Sequence, residues 1–126
     1  MSSEIGLHRN VHPNHMDDDR VGMQAFSPTS SENYELSVDC EKQWLGRQSF
    51  DHRTVDLGKS SVGVWTLTRS LFEELGLQVE AAEEPGNPAH SLVMFPKPKS
   101  SRSKRRDLAR RLAHAANNKS FSRIKD

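Results

Sequence analysis

The sequence predicts an α+β fold: a single small domain with a short mixed or antiparallel sheet, two helices, a loop-rich N-terminus and a basic C-terminal helix. Three observations carry that expectation. Apolar and β-branched residues gather in short runs between turn residues, and two segments show helical spacing with capping residues at their ends. The third is size: 126 residues with 33% hydrophobic content supply one core and not two.

The first 35 residues are polar and broken by Pro13, the run Asp17-Asp18-Asp19, Gly22 and Ser27-Pro28-Thr29-Ser30-Ser31, so only short elements fit there. A strand is expected over residues 7–11. A second is expected over 34–38, where Tyr34, Leu36 and Val38 alternate with Glu35 and Ser37. A helical turn fits around Trp44 and Leu45, and residues 47–59 read as a connection or a weak helix. Val62-Gly63-Val64-Trp65-Thr66-Leu67 has apolar groups on both faces, the pattern of a central strand over 61–67. Thr68, or Ser70 with Glu73 in an S-x-x-E box, opens a short helix over 69–75, and Gly76 closes it. Further strands are expected at 77–80 and 91–95, the latter ended by Pro96 and Pro98. The last element is a helix over 103–117, N-capped by Ser103, with Leu108, Ala109, Leu112, Ala113 and Ala116 in one apolar stripe.

A net charge of +1 conceals two halves of opposite sign. From Lys97 onward eleven Lys and Arg stand against Asp107 and Asp126; of the chain's 18 basic and 17 acidic residues, seven and fifteen remain for 1–96. The expected organisation is an acidic α+β body over 1–96, with a loop-rich N-terminal third, and a basic linker and helix over 97–126 that packs on it or extends from it. Lys104, Arg105, Arg106, Arg110 and Arg111 place five cations within eight residues, a density suited to phosphates or to an acidic protein surface. Cys40 is the only cysteine, so no intrachain disulfide forms. No stretch approaches the ~18 apolar residues of a membrane span, and the start MSSEIGLHRN has no apolar h-region, so the chain reads as cytoplasmic with no membrane contact.

Motifs for nucleophilic or metal chemistry are sparse. His8, His12 and His15 make H-x3-H-x2-H, yet Pro13 disfavours the helix that would align two of them, and no cysteine completes a tetrahedral set; no metal is expected. Cys40 lies between Asp39 and Glu41, an acidic setting that opposes the thiolate a nucleophile needs. Ser37 lacks a Gly-x-Ser-x-Gly elbow. No glycine-rich phosphate loop occurs, and no cofactor is expected. A looser set, Arg9, His12, Arg20, Gln24, Ser37 and His90, lies on or beside expected strands. If the sheet brings 7–11, 34–38 and 91–95 together, that set lines one cleft suited to a phosphate or a dinucleotide.

Arg9-Asn10-Val11-His12-Pro13, Ala25-Phe26-Ser27-Pro28-Thr29, Leu36-Ser37-Val38-Asp39, Ser61-Val62-Gly63-Val64-Trp65 and Asn87-Pro88-Ala89-His90 occur in that order. Over residues 7–95 the set resembles a family of small bacterial proteins with the running pattern R-x-V-H-P, A-F-x-P-T, L-S-V, G-V and P-x-H-A. The resemblance implies a bacterial, cytosolic, single-domain protein. It carries no established reaction, and it draws attention to Arg9, His12 and His90. Where that family has Lys-Asp and a turn, this chain has Ser30-Ser31-Glu32-Asn33-Tyr34, so no role is carried over for that loop. The expected function is a non-enzymatic binding or accessory protein of a bacterial system that meets an acidic partner through residues 97–126. Two alternatives stand beside it: direct nucleic-acid binding through the same residues, and a small nucleotide- or phosphate-binding enzyme using Arg9, His12 and His90, with Ser37 as a further catalytic candidate.

Overall fold

The computed structural model describes residues 5–98, 101–118 and 123–125. In chain order these form β1 (Gly6–Val11), β2 (Met16–Asp17), β3 (Arg20–Val21), β4 (Glu35–Cys40), α1 (Gly46–Asp51), β5 (Gly63–Thr68), α2 (Arg69–Glu74), β6 (Gln78–Ala81), β7 (His90–Met94), α3 (Arg102–Asn118) and β8 (Arg123–Lys125). Six strands make one sheet in the order β6-β7-β4-β1-β5-β8, antiparallel at every pairing, and β2 with β3 makes a separate hairpin. The α+β class is therefore as the sequence predicts. Most elements differ from their expected bounds by one or two residues. Ser103 lies inside the first turn of α3 rather than capping it, because the helix already begins at Arg102. A third helix, α1, occupies the stretch expected as a connection or weak helix.

Register explains how the sheet divides its labour. Leu7 lies opposite Cys40 and Leu67, and His8 opposite Asp39 and Thr66, so alternate residues of β1 part to opposite faces. One face is apolar. There Leu7, Val11, Leu36, Val38, Trp65, Leu67 and Val93 share a core with Phe72, Leu77 and the α3 residues Leu108, Ala109, Leu112, Ala113 and Ala116. A 3-10 turn, Met23–Phe26, packs against α3 and contributes Ala25 and Phe26, both fully buried. The apolar stripe read from the sequence is thus the buried side of α3.

In the acidic run Asp17 ends β2, and Asp18 and Asp19 form the turn to β3, with Asp18 at a left-handed φ of 55°, which aspartate tolerates better than most residues. Asn117, near the end of α3, holds that hairpin: its Oδ1 accepts from Val21 N at 2.8 Å and its Nδ2 donates to Val21 O at 2.9 Å. Thr68 takes the N-cap position of α2, and Gly76, at φ 80°, reverses the chain after it. No helix among the described residues is long and apolar enough to cross a membrane. The opposite face carries the polar residues His8, Asn10, Ser37 and Asp39 together with the buried Val64 of β5, the strand against which α1 packs.

Candidate functional site

That polar face opens into a cavity of about 410 Å³. Arg9 and Asn10 of β1, Ser37 and Asp39 of β4, and His90 of β7 line it from the sheet; Glu84 and Asn87 line it from the loop before β7. Ser49 of α1 and then His52, Arg53 and Lys59 close the remaining side, with Glu32 at another edge.

Two local departures from regular structure create this space. The β1–β4 ladder registers only Leu7 with Cys40 and His8 with Asp39. Past His8 the Arg9 side chain replaces it: Nε donates to Ala25 O at 2.8 Å and Nη1 to Ser37 O at 2.9 Å. The second departure is a π-helical turn, His52–Asp56, which continues α1 and carries His52 and Arg53 to the cavity. Arg53 Nε donates to Ser60 O at 2.9 Å.

Burial lowers the Arg9 guanidinium to about 10; Glu32 and Asp39 oppose that shift, and Arg53 adds to it. Arg53 is lowered by burial as well. Both remain charged at neutral pH. Among the described residues neither lies within ion-pair distance of a carboxylate.

His90 is oriented by a main-chain group. Its Nδ1 lies 2.7 Å from Ala82 O, and since a carbonyl only accepts, Nδ1 carries the hydrogen. Nε2 then presents its lone pair to Ser37 Oγ, 3.2 Å away, and Glu84 Oε1 lies 3.8 Å from the same nitrogen. Asp39, opposite His90 in the ladder, accepts from Asn87 Nδ2 at 2.9 Å, and Asn87 Oδ1 accepts from Ala89 N at 2.9 Å. These bonds tie the loop before β7 to β4. Ser49, on α1, has a buried Oγ with no hydrogen-bond partner among the described residues.

Of the six residues proposed from sequence for one cleft, the sheet brings together Arg9, Ser37 and His90. His12 stands apart, because Pro13 starts a 3-10 turn whose Asn14 N donates to His12 Nδ1 at 3.0 Å. Arg20 lies in the hairpin and Gln24 in the turn Met23–Phe26, and neither lines the cavity. The three N-terminal histidines also separate. His8 is buried, its Nε2 donating to Trp44 O and its Nδ1 accepting from Thr66 Oγ1, both at 2.8 Å. The His12 and His15 rings lie 5.8 Å apart, and among the described residues no three His, Cys, Asp or Glu side chains converge as a metal site. Cys40 is half-buried at the end of β4. Sequence reasoning missed Ser49, Arg53 and Asn87.

The basic helix also divides. Arg105 is 9% exposed, with Nη1 donating to Pro96 O and Pro98 O at 2.8 Å each and the guanidinium 3.8 Å from the Tyr34 ring centre. It belongs to the packing of α3, not to its outer face. Asp107 accepts from Arg110 and, at 2.9 Å, from Arg111, and its carboxyl is held below the usual range chiefly by the Arg110 hydrogen bond. Arg102, Lys104, Arg106, Arg110 and Arg111 are exposed.

No protein-family model, no curated protein and no solved structure matches the chain. The fold and the cavity together define an antiparallel α+β domain with a polar, guanidinium-bearing pocket on the open face of its sheet.

Proposed function

We propose that the protein binds a small anion, a phosphorylated or carboxylated molecule, in the cavity on the polar face of the sheet. One observation carries this reading: Arg9 and Arg53 share one cavity, both lose hydration there, and among the described residues their side chains bond only to main-chain carbonyls. Buried charges are normally matched by an opposite charge. A guanidinium offers a planar fork that fits carboxylate and phosphate oxygens. Arg9 uses Nε and Nη1 on carbonyls and Arg53 uses Nε; their other nitrogens make no bond within the described residues. The unpartnered Ser49 hydroxyl supports the same conclusion. The volume, about 410 Å³, falls in the roughly 300–1,000 Å³ range of small-molecule pockets. Glu32, Asp39 and Glu84 line the same space, which favours a ligand whose anionic group is accompanied by hydroxyl or amine donors, as in a sugar phosphate or a nucleotide.

Thermal denaturation tests this reading with inorganic phosphate, nucleoside monophosphates, sugar phosphates and dicarboxylates. A ligand that binds only the folded state raises the melting temperature, by an amount equivalent to about 2.7 kcal/mol at a hundredfold excess over Kd. The rise is expected with at least one of these anions and is lost in Arg53→Gln. A folded protein whose Tm responds to none of them refutes the proposal.

A second reading rests on α3. Its apolar stripe is buried in the core, which leaves Arg102, Arg106 and Arg110 in line on the outer side with Lys104 and Arg111 beside them. That surface suits an acidic protein partner or, in the alternative, nucleic acid. Binding to duplex and single-stranded nucleic acid across a salt series, with the variant Arg106→Ala/Arg110→Ala, separates these: a steep salt slope that falls in the variant favours nucleic acid.

A further inference from the structure

The cavity holds a pair of groups that anion binding does not use. We propose that Ser37 and His90 act as nucleophile and general base in the hydrolysis of carboxylic esters that carry an anionic group, an inference that rests on the anion-binding reading of the same cavity. The two side chains stand on neighbouring strands, β4 and β7, whose register pairs Ser37 with Leu92 and Asp39 with His90. Strand backbones paired in this way hold the reacting atoms more firmly than loops do. Ser37 Oγ lies 3.2 Å from His90 Nε2 and has no other hydrogen-bond partner within the described residues. The bond from Nδ1 to Ala82 O fixes the one neutral tautomer in which Nε2 can take a proton from that hydroxyl. Nucleophile, base and a third group that orients the base form the arrangement that activates a serine.

The surroundings suit the charges that develop. Arg9 is anchored on the Ser37 carbonyl, which places a cation beside the residue whose hydroxyl attacks, where it favours the oxyanion. Glu84 Oε1, 3.8 Å from Nε2, favours the imidazolium formed as the proton arrives. In the first half-reaction Ser37 Oγ bonds to the acyl carbon while its hydrogen passes to His90 Nε2. The carbonyl electron pair moves onto oxygen and then returns, breaking the ester C–O bond, and the departing alcohol oxygen takes the hydrogen from Nε2. Water repeats the sequence: its oxygen bonds to the acyl carbon, its proton goes to Nε2, and Ser37 Oγ leaves and is reprotonated as the carboxylic acid forms. The sum is ester plus water to acid plus alcohol, and no co-reactant is needed.

The test uses the full chain. A fluorophosphonate probe is followed by intact mass, and p-nitrophenyl hemisuccinate is compared with the neutral p-nitrophenyl butyrate for hydrolysis, in wild type, Ser37→Ala and His90→Gln. Wild type is expected to take up one probe on Ser37 and to hydrolyse the anionic ester faster than the neutral one. Ser37→Ala should take up none, and His90→Gln should lose roughly 100-fold or more of the rate. Ser37→Ala removes one oxygen atom and should keep its far-ultraviolet circular dichroism, so absent labelling cannot be assigned to unfolding. Hydrolysis by wild type no faster than by Ser37→Ala, or an adduct on a different residue, overturns the pair. If any of the anions named above still raises the Tm of that inactive protein, the binding reading survives and catalysis alone falls; if none does, both fall. Labelling of Ser37 with no response to any of those anions and no preference for the anionic ester supports the pair and overturns the anionic group of its substrate.

Discussion

Replacing Arg105 with alanine should destabilise the protein by about 3 kcal/mol, whereas the same change at the adjacent Arg106 should be almost silent. Arg105 Nη1 donates to both Pro96 O and Pro98 O at 2.8 Å, so the substitution removes two charge-assisted bonds. One such bond contributes about 1.5–3 kcal/mol, and because the two share one nitrogen and their acceptors regain water they count together for about 2.5 kcal/mol. Loss of the Tyr34 ring contact, at 3.8 Å, adds about 1 kcal/mol, and the better helix propensity of alanine returns a few tenths of a kcal/mol. Against a typical stability of roughly 5–15 kcal/mol this is a large fraction, equivalent to a drop in Tm of roughly 10 °C. Arg106 is exposed, and its truncation should stay within about 0.5 kcal/mol. Urea denaturation of wild type, Arg105→Ala, Arg106→Ala and Arg105→Lys, compared at equal m values, measures this. Arg105→Lys should recover about half of the loss, since an ammonium keeps the charge but lacks the planar fork. An Arg105→Ala protein within about 1.5 kcal/mol of Arg106→Ala, the low end for one charge-assisted bond, refutes the reasoning. It would mean that these bonds do not hold the segment joining β7 to α3.

Three further outcomes are expected. A Cβ at Gly6 would lie 2.5 Å from Thr66 Cγ2, so Gly6→Ala should cost about 1–3 kcal/mol; Thr66→Ser removes that methyl while keeping the hydroxyl that His8 Nδ1 meets, and the double variant should cost at least about 1 kcal/mol less than the sum of the singles. Strict additivity in denaturant titrations would sink that explanation. The His15 imidazole is lowered from 6.5, first by burial and then by His12, Arg9 and Arg53, so the folded protein binds its proton less readily than the unfolded chain. Its contribution to stability is therefore complete above pH 6.5 and is lost as pH falls toward the lowered folded value; NMR titration should place its midpoint below that of a free histidine, and Arg53→Gln should move it upward. Ser49→Ala removes a buried hydroxyl that has no partner among the described residues and should raise stability by roughly 1 kcal/mol in thermal melts, where a loss of stability would show that the hydroxyl is satisfied after all.

The parts of this fold that the sequence discloses are those whose burial is one-sided and several residues long. β4 buries Leu36 and Val38 and turns Ser37 away, so its period of two survives in the sequence, and α3 buries a continuous stripe with a period near 3.6. β2 and β3 are two residues each, too short to show any period, and β8 has one apolar residue, Ile124, between two cations. α1 buries only Ser49 and Phe50. A helix of fewer than two turns with a single buried apolar side chain makes no stripe. Arg105 did carry a legible signal: 105, 108, 109 and 112 follow the i, i+3, i+4, i+7 spacing of one helix face, so its place on the apolar side was readable from position, against its charge. Within the cavity, Arg9, Ser37 and His90 could be named in advance because each sits on or next to a patterned strand. Arg53 could not, because a π-helical turn sets its direction and no sequence period announces such a turn.

Arg9 has a double role that governs how the cavity can be probed. Its two bonds, to Ala25 O and Ser37 O, join the segment packed against α3 to the strand that carries Ser37, so they stand where the β1–β4 ladder has stopped. Removing Arg9 therefore takes away a cation of the pocket and also strands two part-buried carbonyls, and loss of ligand binding in Arg9→Ala could follow from either change. Arg53 is different. It hangs from the turn after α1, its side-chain bond is to the nearby Ser60 carbonyl, and among the described residues no strand pairing depends on it. The sheet therefore separates the two questions by construction: variants at Arg53 report on the charge that a ligand meets, and variants at Arg9 report on that charge together with the join between the two faces of the fold.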